Sequence, residues 1–293
     1  MTITTDTTSG MTTGTTTGTT AAAVPSPGRP VPVPVPDSIG QFPPLPDHVA
    51  PLLTITQATT AVRMTMDFRD IACFTGAPGT GKTTAVTQAV ARAVADEAAG
   101  APAVKWRYCV PPQRATPKGA MLALYESIFG WTGPLNEREA TDAVVRRLAE
   151  GDLGVVIDEV HHVGLLGMQQ YRHVWDRACI YEQAFPMLLV GCDVRQTLAG
   201  ADEVRTRIAR WVMFDHIQHP DDLAILAGDL HPRLAATSER SLTKINTDIT
   251  GGNIRAWFQF AKHIDYLPST DPARPTRLTG EDVRHLRRAL GVL

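Results

Sequence analysis

The chain has 293 residues, of which 43% are hydrophobic and 20% charged, and its formal net charge is −2. This composition supplies a sizeable core and excludes a wholly disordered chain, a collagen-like fibre and a coiled-coil rod. The near-neutral charge excludes a histone-like polycation, although a local basic face still permits nucleic-acid binding. Four scattered cysteines without a CxxC pair, together with the lack of a long apolar run or a secretion signal, predict a cytoplasmic protein with no membrane partner.

Three regions of different composition follow one another along the chain. Residues 1–45 are rich in Thr and Gly and then in Pro, since nine of the 22 prolines lie between Pro25 and Pro46. Such a segment has no apolar face to bury, so we expect a disordered tail. Residues 46–219 are predicted to be an α/β core, and residues 220–293 a helical lid with a C-terminal helix.

Helical and strand patterns alternate through the core. They predict helices at 48–67, 83–99, 117–130 and 138–151, and strands at 71–75, 103–110, 153–160, 185–193 and 211–217. Strands separated by helices are typical of right-handed βαβ units. The fold class is therefore predicted to be α/β, with a five-stranded parallel sheet sandwiched by helices and a small helical lid after it. In the last helix, Thr279 and Asp282 predict a capping box.

A phosphate-binding motif lies between the first predicted strand and the following helix. The segment Gly76-Ala-Pro-Gly-Thr-Gly81-Lys82-Thr83 matches the pattern GxxxxGK[ST]. Its glycines permit a tight loop whose amides face phosphates, and the helix N-terminus adds its positive dipole. We expect Lys82 to reach the β- and γ-phosphates and Thr83 to bind Mg²⁺. The candidate ATP contacts are Gly76, Ala77, Pro78, Gly79, Thr80, Gly81, Lys82, Thr83 and Thr84.

Two carboxylates end a later apolar strand. The segment Val155-Val156-Ile157-Asp158-Glu159 places Asp158 where it can hold the hydrated Mg²⁺ ion and Glu159 where it can polarise an attacking water. An acidic pair after a strand is usually a surface pair. The phosphate loop favours the functional interpretation, so Mg²⁺-dependent hydrolysis of ATP to ADP and phosphate is predicted.

With these two motifs the chain resembles the AAA+ ATPases, and the resemblance implies a P-loop AAA+ module with three further site residues. Asp193 is the candidate for the sensor residue after the fourth strand, with Cys192 second. The element Gly251-Gly252-Asn253-Ile254-Arg255 implies that Arg255 reaches the γ-phosphate from the lid of the same subunit. For the arginine finger, which acts on the ATP of a neighbouring subunit, the candidates are Arg207, then Arg210, and Arg205.

Over residues 48–265 the chain is similar to the DNA-transposition regulators of the MuB, TnsC and TniB type. The likeness is carried by CVPPQRATPKGAMLALYESIFG, IDEVHHV, LLVGCDV and TGGNIRAWFQFA. It implies ATP-dependent rings or helical filaments of a homo-oligomer on duplex DNA, bound without sequence preference, which recruit and activate a transposase. Candidate DNA contacts are Arg114, Thr116 and Lys118.

Two other functions remain open for such a module. One is a helicase loader or replication initiator, and the other is an ATP-gated scaffold that assembles with little turnover.

The pair His161-His162 follows the carboxylates, but HExxH is absent and no ligand cluster is near in sequence. These histidines are therefore expected to pack beside the site rather than to bind a metal.

Overall fold

The computed structural model describes residues 42–46, 49–97, 104–130, 135–181, 183–267 and 277–291. All of them lie in the compact unit Pro32–Leu293. The tail predicted for residues 1–45 lies, up to residue 41, outside the described residues.

Five strands form one sheet in the described part of the chain. They are β1 Ile71–Gly76, β2 Lys105–Cys109, β3 Leu153–Ile157, β4 Met187–Gly191 and β5 Ile208–Phe214. Their order is β2-β3-β4-β1-β5, and all neighbouring strands are parallel. The predicted five-stranded parallel sheet is thus confirmed. Every residue of β3 and β4 is buried, as expected for central strands covered on both faces.

The strand β5 differs from its predicted bounds of 211–217. It begins at Ile208, which pairs with Ile71, and it ends at Phe214, which pairs with Gly76. Pairing with β1 therefore decides its register. Residues 215–217 leave the sheet instead and lead into the lid.

Helices cover both faces of the sheet and follow its last strand. They are α1 Leu53–Phe68, α2 Lys82–Glu97, α3 Pro117–Phe129, α4 Glu137–Leu148, α5 Gly164–Ile180, α6 Val194–Thr197, α7 Asp202–Arg205, α8 Pro220–Leu230, α9 Pro232–Ala235, α10 Glu239–Ile245, α11 Ile254–Ile264 and α12 Gly280–Ala289. A 3₁₀ turn spans Val160–Val163 and a π-helical turn spans Asn246–Thr250. None of the described helices combines the length and apolar character that a bilayer crossing requires.

Side chains alternate between two cores, one on each face of the sheet. In β1, Ala72 and Phe74 join the core that includes α1, α2 and the lid helices. Ile71 and Cys73 face the other way and join the core formed with α3, α4 and α5. The helix α5 was not among the predicted helices. Its buried Met168, Tyr171, Val174 and Ala178 recur at the helical spacing of three or four residues.

The helix ends are set by local sequence. Thr116 caps α3, where its Oγ1 accepts a hydrogen bond from the N–H of Gly119 at 3.1 Å. The capping box predicted for the last helix is present, since Thr279 Oγ1 accepts from Asp282 N at 3.2 Å and Asp282 Oδ2 accepts from Thr279 N at 3.0 Å.

A buried asparagine attaches the lid to the end of β5. Asn246 donates its Nδ2 hydrogen to the carbonyl of Ile217 at 2.7 Å and accepts from Trp257 Nε1 at 2.8 Å. The backbone N–H of Ile217 in turn donates to the carbonyl of Gly252 at 2.8 Å. These bonds hold the first residues of α11 against the core.

Candidate nucleotide-binding site

The phosphate loop between β1 and α2 passes very close to two neighbouring segments. Gly76 has a φ of +156°, and a Cβ there would lie 2.0 Å from the carbonyl oxygen of Phe214 on β5. Gly79 has a φ of +77°, and a Cβ there would lie 2.6 Å from Asn253 Oδ1 in the lid. Only glycine fits these positions. The loop therefore carries no side chain at these two close approaches, and it leads into the start of α2, where the helix dipole favours an anion.

Lys82 is held inside this loop. It is the first residue of α2 and is 8% exposed. Its Nζ donates to the carbonyl oxygens of Gly76 at 2.9 Å and Ala77 at 2.7 Å. Thr80 Oγ1 also donates to Ala77 O, at 2.8 Å. An ammonium group in this position is the one that contacts β- and γ-phosphates in phosphate-loop proteins.

Asp158 connects the second motif to the first. The residue is 3% exposed, and its Oδ2 accepts hydrogen bonds from Thr83 Oγ1 at 2.7 Å and Tyr108 Oη at 2.5 Å. Its Oδ1 accepts from the N–H of Glu159 at 2.7 Å. Burial, and next the charge of Asp158, raises the pKa of the Tyr108 hydroxyl, which therefore stays protonated and donates. A carboxylate and a hydroxyl held side by side are oxygen ligands of the kind that Mg²⁺ prefers.

Glu159 follows in a turn that most residues avoid. Its φ is +51°, in the left-handed region, and its side chain is 44% exposed. His161 Nδ1 lies 3.3 Å from Glu159 Oε2 and also 3.3 Å from the backbone nitrogen of Cys192. The carboxylate of Glu159 therefore stands at the carboxyl end of the sheet beside a histidine and a cysteine.

The lid closes over the loop from the other side. Asn253 Nδ2 donates to Pro78 O at 2.8 Å, and the N–H of Arg255 donates to Gly79 O at 3.1 Å. A cavity of about 420 Å³ lies between the two. Its lining comprises Pro78, Gly79, Gly81, Lys82, Thr83, Thr84, Glu159, His161, Cys192, Ile254, Arg255 and Phe258.

A smaller apolar cavity of about 70 Å³ shares Gly81, Thr84, Ile254 and Phe258 with the first one. Its remaining lining comes from the segment before α1, the first turn of α1 and α8, namely Pro46, Val49, Ala50, Leu52, Ile55, Leu226 and Asp229. Next to a phosphate cavity, an apolar slot of this kind suits a flat aromatic base.

A larger cavity of about 980 Å³ lies between α1 and β5. It shares only Ile254 with the phosphate cavity and includes neither Lys82 nor Glu159. Because it lacks Lys82, Thr83 and Glu159, the geometry favours the two smaller cavities as the nucleotide site.

The candidate arginine fingers are all paired with carboxylates: Arg205 with Asp202, Arg207 with Asp176 and Arg210 with Asp70. Arg210 is 18% exposed, and its guanidinium also lies 5.3 Å from the ring centroid of Phe68. Arg207 is 48% exposed, with Nε donating to Asp176 Oδ1 at 2.8 Å. Arg210 is therefore held within its own subunit, whereas Arg207 is accessible.

The two sensor candidates after β4 are placed differently. Asp193 is exposed, has a φ of +49° and begins α6 without a side-chain cap. Cys192 is half-buried and lines the phosphate cavity, which Asp193 does not. The geometry thus favours the second candidate over the first, because the left-handed turn carries Asp193 past the cavity.

The candidate DNA contacts lie on the loop between β2 and α3 and in the first turn of α3. Arg114, with a φ of +55°, and Lys118 are exposed, while the exposed Thr116 uses its hydroxyl to cap α3. The loop is bonded to the turn after Glu159, since the N–H of Ala115 donates to His162 O at 3.2 Å.

Sequence reasoning missed Tyr108, His161 and Phe258 as site residues. Tyr108 lies in a strand with no motif, and its contact with Asp158 depends on the pairing of β2 with β3. His161 was recognised but assigned to packing. Phe258 is one turn after Arg255 on α11, and that spacing was the available signal.

The phosphate loop and both carboxylates lie within a region that matches a known family. Residues 67–207 match the family described as AAA domain. No curated protein sequence matches the chain.

Several solved structures share the fold. The Aeropyrum pernix ORC1 protein, solved in complex with DNA, is 17% identical with a TM-score of 0.57, over 84% of this chain and 66% of that one. The Aeropyrum pernix ORC2 protein in its ADP form is 17% identical with a TM-score of 0.55, over 82% of this chain and 70% of that one. The Walker-type ATPase PABY2304 of Pyrococcus abyssi is 11% identical with a TM-score of 0.50, over 80% of this chain and 70% of that one.

At these identities the likeness concerns the fold, and this chain spans about two thirds of the length of these relatives. The parallel sheet, the phosphate loop and the family match agree with one another. Residues 67–207 match the AAA domain family, and the α/β fold with its five-stranded parallel sheet flanked by helices matches that of a P-loop AAA+ module.

Proposed function

We propose that this chain binds ATP and hydrolyses it to ADP and phosphate. The observation that carries the proposal is the convergence of Lys82, Thr83, Glu159 and Arg255 on one cavity of about 420 Å³. Lys82 and the start of α2 bind the phosphates, and Arg255 neutralises the γ-phosphate from the lid. The apolar cavity beside Phe258 takes the adenine base.

Thr83 and Asp158 are the residues that would hold Mg²⁺. Their oxygens lie 2.7 Å apart, and Tyr108 fixes the same carboxylate oxygen from the other side. When bound there, the ion supplies positive charge against the phosphate oxygens.

Glu159 is the proposed general base. Its half-exposed carboxylate faces the cavity, where it accepts a proton from the water that attacks the γ-phosphate. Glu159 has a left-handed backbone conformation and lines the cavity, whereas the buried Asp158 that precedes it does not. Neighbouring carboxylates can therefore take separate roles, one at the metal and one at the water.

The second part of the proposal is ATP-dependent assembly on duplex DNA. Arg207 is the preferred finger because it is accessible, and an arginine that completes the ATP site of a neighbour couples nucleotide binding to assembly. Arg114 and Lys118 supply phosphate contacts that repeat along the assembly. The bond between Ala115 and His162 links this loop to the turn that carries Glu159.

The third part is that the assembled protein recruits and activates a transposase. Its support is the resemblance of the loop, turn and lid segments to the transposition regulators. The likeness in fold to the ORC1 protein solved with DNA favours a second candidate, a replication initiator or helicase loader. Both candidates require ATP-dependent contact with another protein, and they differ in which protein that is.

Assembly is tested by electron microscopy of negatively stained protein with duplex DNA, a slowly hydrolysed ATP analogue or ADP. Rings or filaments with the analogue alone are expected, and Lys82→Ala should abolish them. Identical particles with the ATP analogue and with ADP would contradict the assembly proposal. Assembly without phosphate release would instead identify an ATP-gated scaffold.

DNA contact is tested with the double variant Arg114→Ala and Lys118→Ala. Its affinity for duplex DNA should fall by about tenfold and depend less steeply on salt, because two phosphate contacts are lost. Arg92→Ala with Lys262→Ala removes two other exposed cations and serves as the matched control. Equal losses of DNA affinity in both double variants would show that this loop does not contact DNA specifically.

The partner is tested by co-purification with a transposase and with a replicative helicase, each with the ATP analogue. Retention of the transposase supports the first candidate. Retention of the helicase alone establishes the second.

A further inference from the structure

Three different metal-binding groups meet at one corner of the phosphate cavity. The ligand atoms of Glu159, His161 and Cys192 all lie within 4.8 Å of one another. Each side chain is half-buried, and all three line the same cavity. They are a carboxylate, an imidazole and a thiol.

The fold brings them together although the cysteine is far away in sequence. Glu159 and His161 follow β3, and Cys192 follows the neighbouring parallel strand β4. At Gly191 a Cβ would lie 3.0 Å from Val160 Cγ1 and 3.2 Å from the backbone nitrogen of His161, so the two strand ends approach closely. The backbone nitrogen of Cys192 lies 3.3 Å from His161 Nδ1.

This set of ligands differs in kind from the oxygen pair of Thr83 and Asp158. Mg²⁺ prefers oxygen, whereas a thiolate with an imidazole selects Zn²⁺ and similar ions. In a tetrahedral zinc site the ligand atoms are about 3.5 Å apart, as follows from metal–ligand bonds of about 2.0–2.3 Å. The ligand atoms of Glu159, His161 and Cys192, within 4.8 Å of one another, approach that spacing. Three protein ligands leave a fourth position open to the cavity.

We propose that Glu159, His161 and Cys192 form a binding site for a thiophilic divalent metal ion such as Zn²⁺, and that this ion inhibits the ATPase. Binding releases the proton of the Cys192 thiol to solvent and engages the carboxylate of Glu159. Glu159 then no longer accepts a proton from the attacking water. The inhibition rests on the proposed function, whereas metal binding does not.

Metal binding is tested with Co²⁺ as a spectroscopic substitute for Zn²⁺, on the whole chain without nucleotide. A sulfur-to-cobalt charge-transfer band that Zn²⁺ displaces is expected. Cys192→Ser should remove the band and weaken Zn²⁺ binding by at least about tenfold, the loss produced even by removing an outer partner of a ligand. Cys179→Ser is the matched control, because Cys179 is also a half-buried thiol but lies on α5.

Retention of the band in Cys192→Ser, or its absence from the unaltered chain, would overturn the site. His161→Ala gives a second measurement, since it should weaken Zn²⁺ binding while the sulfur band persists at higher Co²⁺ concentration. Unchanged Zn²⁺ affinity in that variant would also count against the three-ligand site.

Inhibition is measured as phosphate release at fixed Mg²⁺ with increasing Zn²⁺, each variant relative to its own rate without Zn²⁺. The unaltered chain and Cys179→Ser should be inhibited at low Zn²⁺ and recover with a chelator. Cys192→Ser should need at least about tenfold more Zn²⁺. If Zn²⁺ binds without slowing release, the inhibitory part fails. A chain with no ATPase activity would contradict the proposed function, and the cobalt band would still decide the site.

Discussion

The two ends of the parallel sheet use charged residues in opposite ways. At the amino end, arginines are bonded to carboxylates or carbonyls that join neighbouring segments: Arg69 to Gly151 and Ala184, Arg147 to Asp152, and Arg210 to Asp70. At the carboxyl end, Glu159 and Arg255 line a cavity. Ligands of open α/β sheets bind at the carboxyl ends of strands.

We therefore expect the carboxyl end of the sheet to determine activity and the amino end to determine stability. Substitutions at the carboxyl end should impair nucleotide chemistry and leave folding nearly intact. Substitutions at the amino end should lower the free energy of unfolding and leave the affinity of one subunit for ATP unchanged. Four substitutions test this division.

Glu159→Gln should have the largest effect. Loss of the base should slow phosphate release about 1,000-fold, within the range of general-base catalysis, while ATP affinity stays close to the original value. The measurements are single-turnover phosphate release and equilibrium binding of a fluorescent ATP. Glu239→Gln, an exposed carboxylate in the first turn of α10, is the control. A normal rate in Glu159→Gln would show that another group accepts the proton.

Arg210→Ala should be the strongest destabilising change at the amino end. It removes the partner of Asp70 Oδ2 while Asp70 stays largely buried, and Oδ1 already lacks a hydrogen-bond partner among the described residues. The free energy of unfolding should fall by about 2 kcal/mol, less than for a fully buried pair. Urea denaturation measures it. Arg205→Ala removes an exposed pair and should change stability little. Equal effects of the two would contradict the structural role of Arg210.

Tyr108→Phe should weaken Mg²⁺-dependent ATP binding at the carboxyl end of the sheet. It removes the hydroxyl that donates to Asp158 Oδ2, so the carboxylate is less well fixed. Mg²⁺-dependent ATP affinity should fall about tenfold, because a hydrogen bond to a charged group contributes about 1.5 kcal/mol. Titration with Mg²⁺ at fixed ATP measures the change. Tyr266→Phe alters a tyrosine that is 84% exposed and is the control. No change in Tyr108→Phe would mean that Thr83 and the N–H of Glu159 suffice to position the carboxylate.

Arg147→Ala should have the smallest effect. The hydrogen bond from Arg147 lowers the pKa of the Asp152 carboxyl, so the ionised form favours the folded state. The stabilisation is present above the ordinary Asp pKa of 3.8 and is lost as pH falls through the lower folded value. We expect a loss of about 0.5 kcal/mol at neutral pH, since the pair is partly exposed.

The difference between Arg147→Ala and the unaltered chain should therefore shrink as the solution is acidified. Urea denaturation at neutral pH and at acid pH measures both values. A difference that grows toward acid pH would contradict the assigned pair.

Local patterns predicted much of the fold and of the site. The glycine motif and the strand ending in Asp158-Glu159 each contain, within a few residues, the groups that meet at the carboxyl end of the sheet. The capping box at Thr279 is likewise a local pattern, and it is present. The helix α5 was missed because its apolar face begins after two glycines, Gly164 and Gly167.

Other features depended on contacts between segments far apart in sequence. The choice of Cys192 over Asp193 follows from a left-handed turn at the end of β4. The confinement of Arg210 follows from the pairing of β5 with β1, which sets it beside Asp70.

The sequence by itself determined that a parallel sheet presents a phosphate loop and two carboxylates, because strand periodicity and motif spacing are properties of short segments. Only the tertiary structure decided that Tyr108 holds Asp158 and that Cys192 lies beside Glu159 and His161. The physical reason is strand order: β2, β3 and β4 are neighbours in the sheet although long helices separate them along the chain.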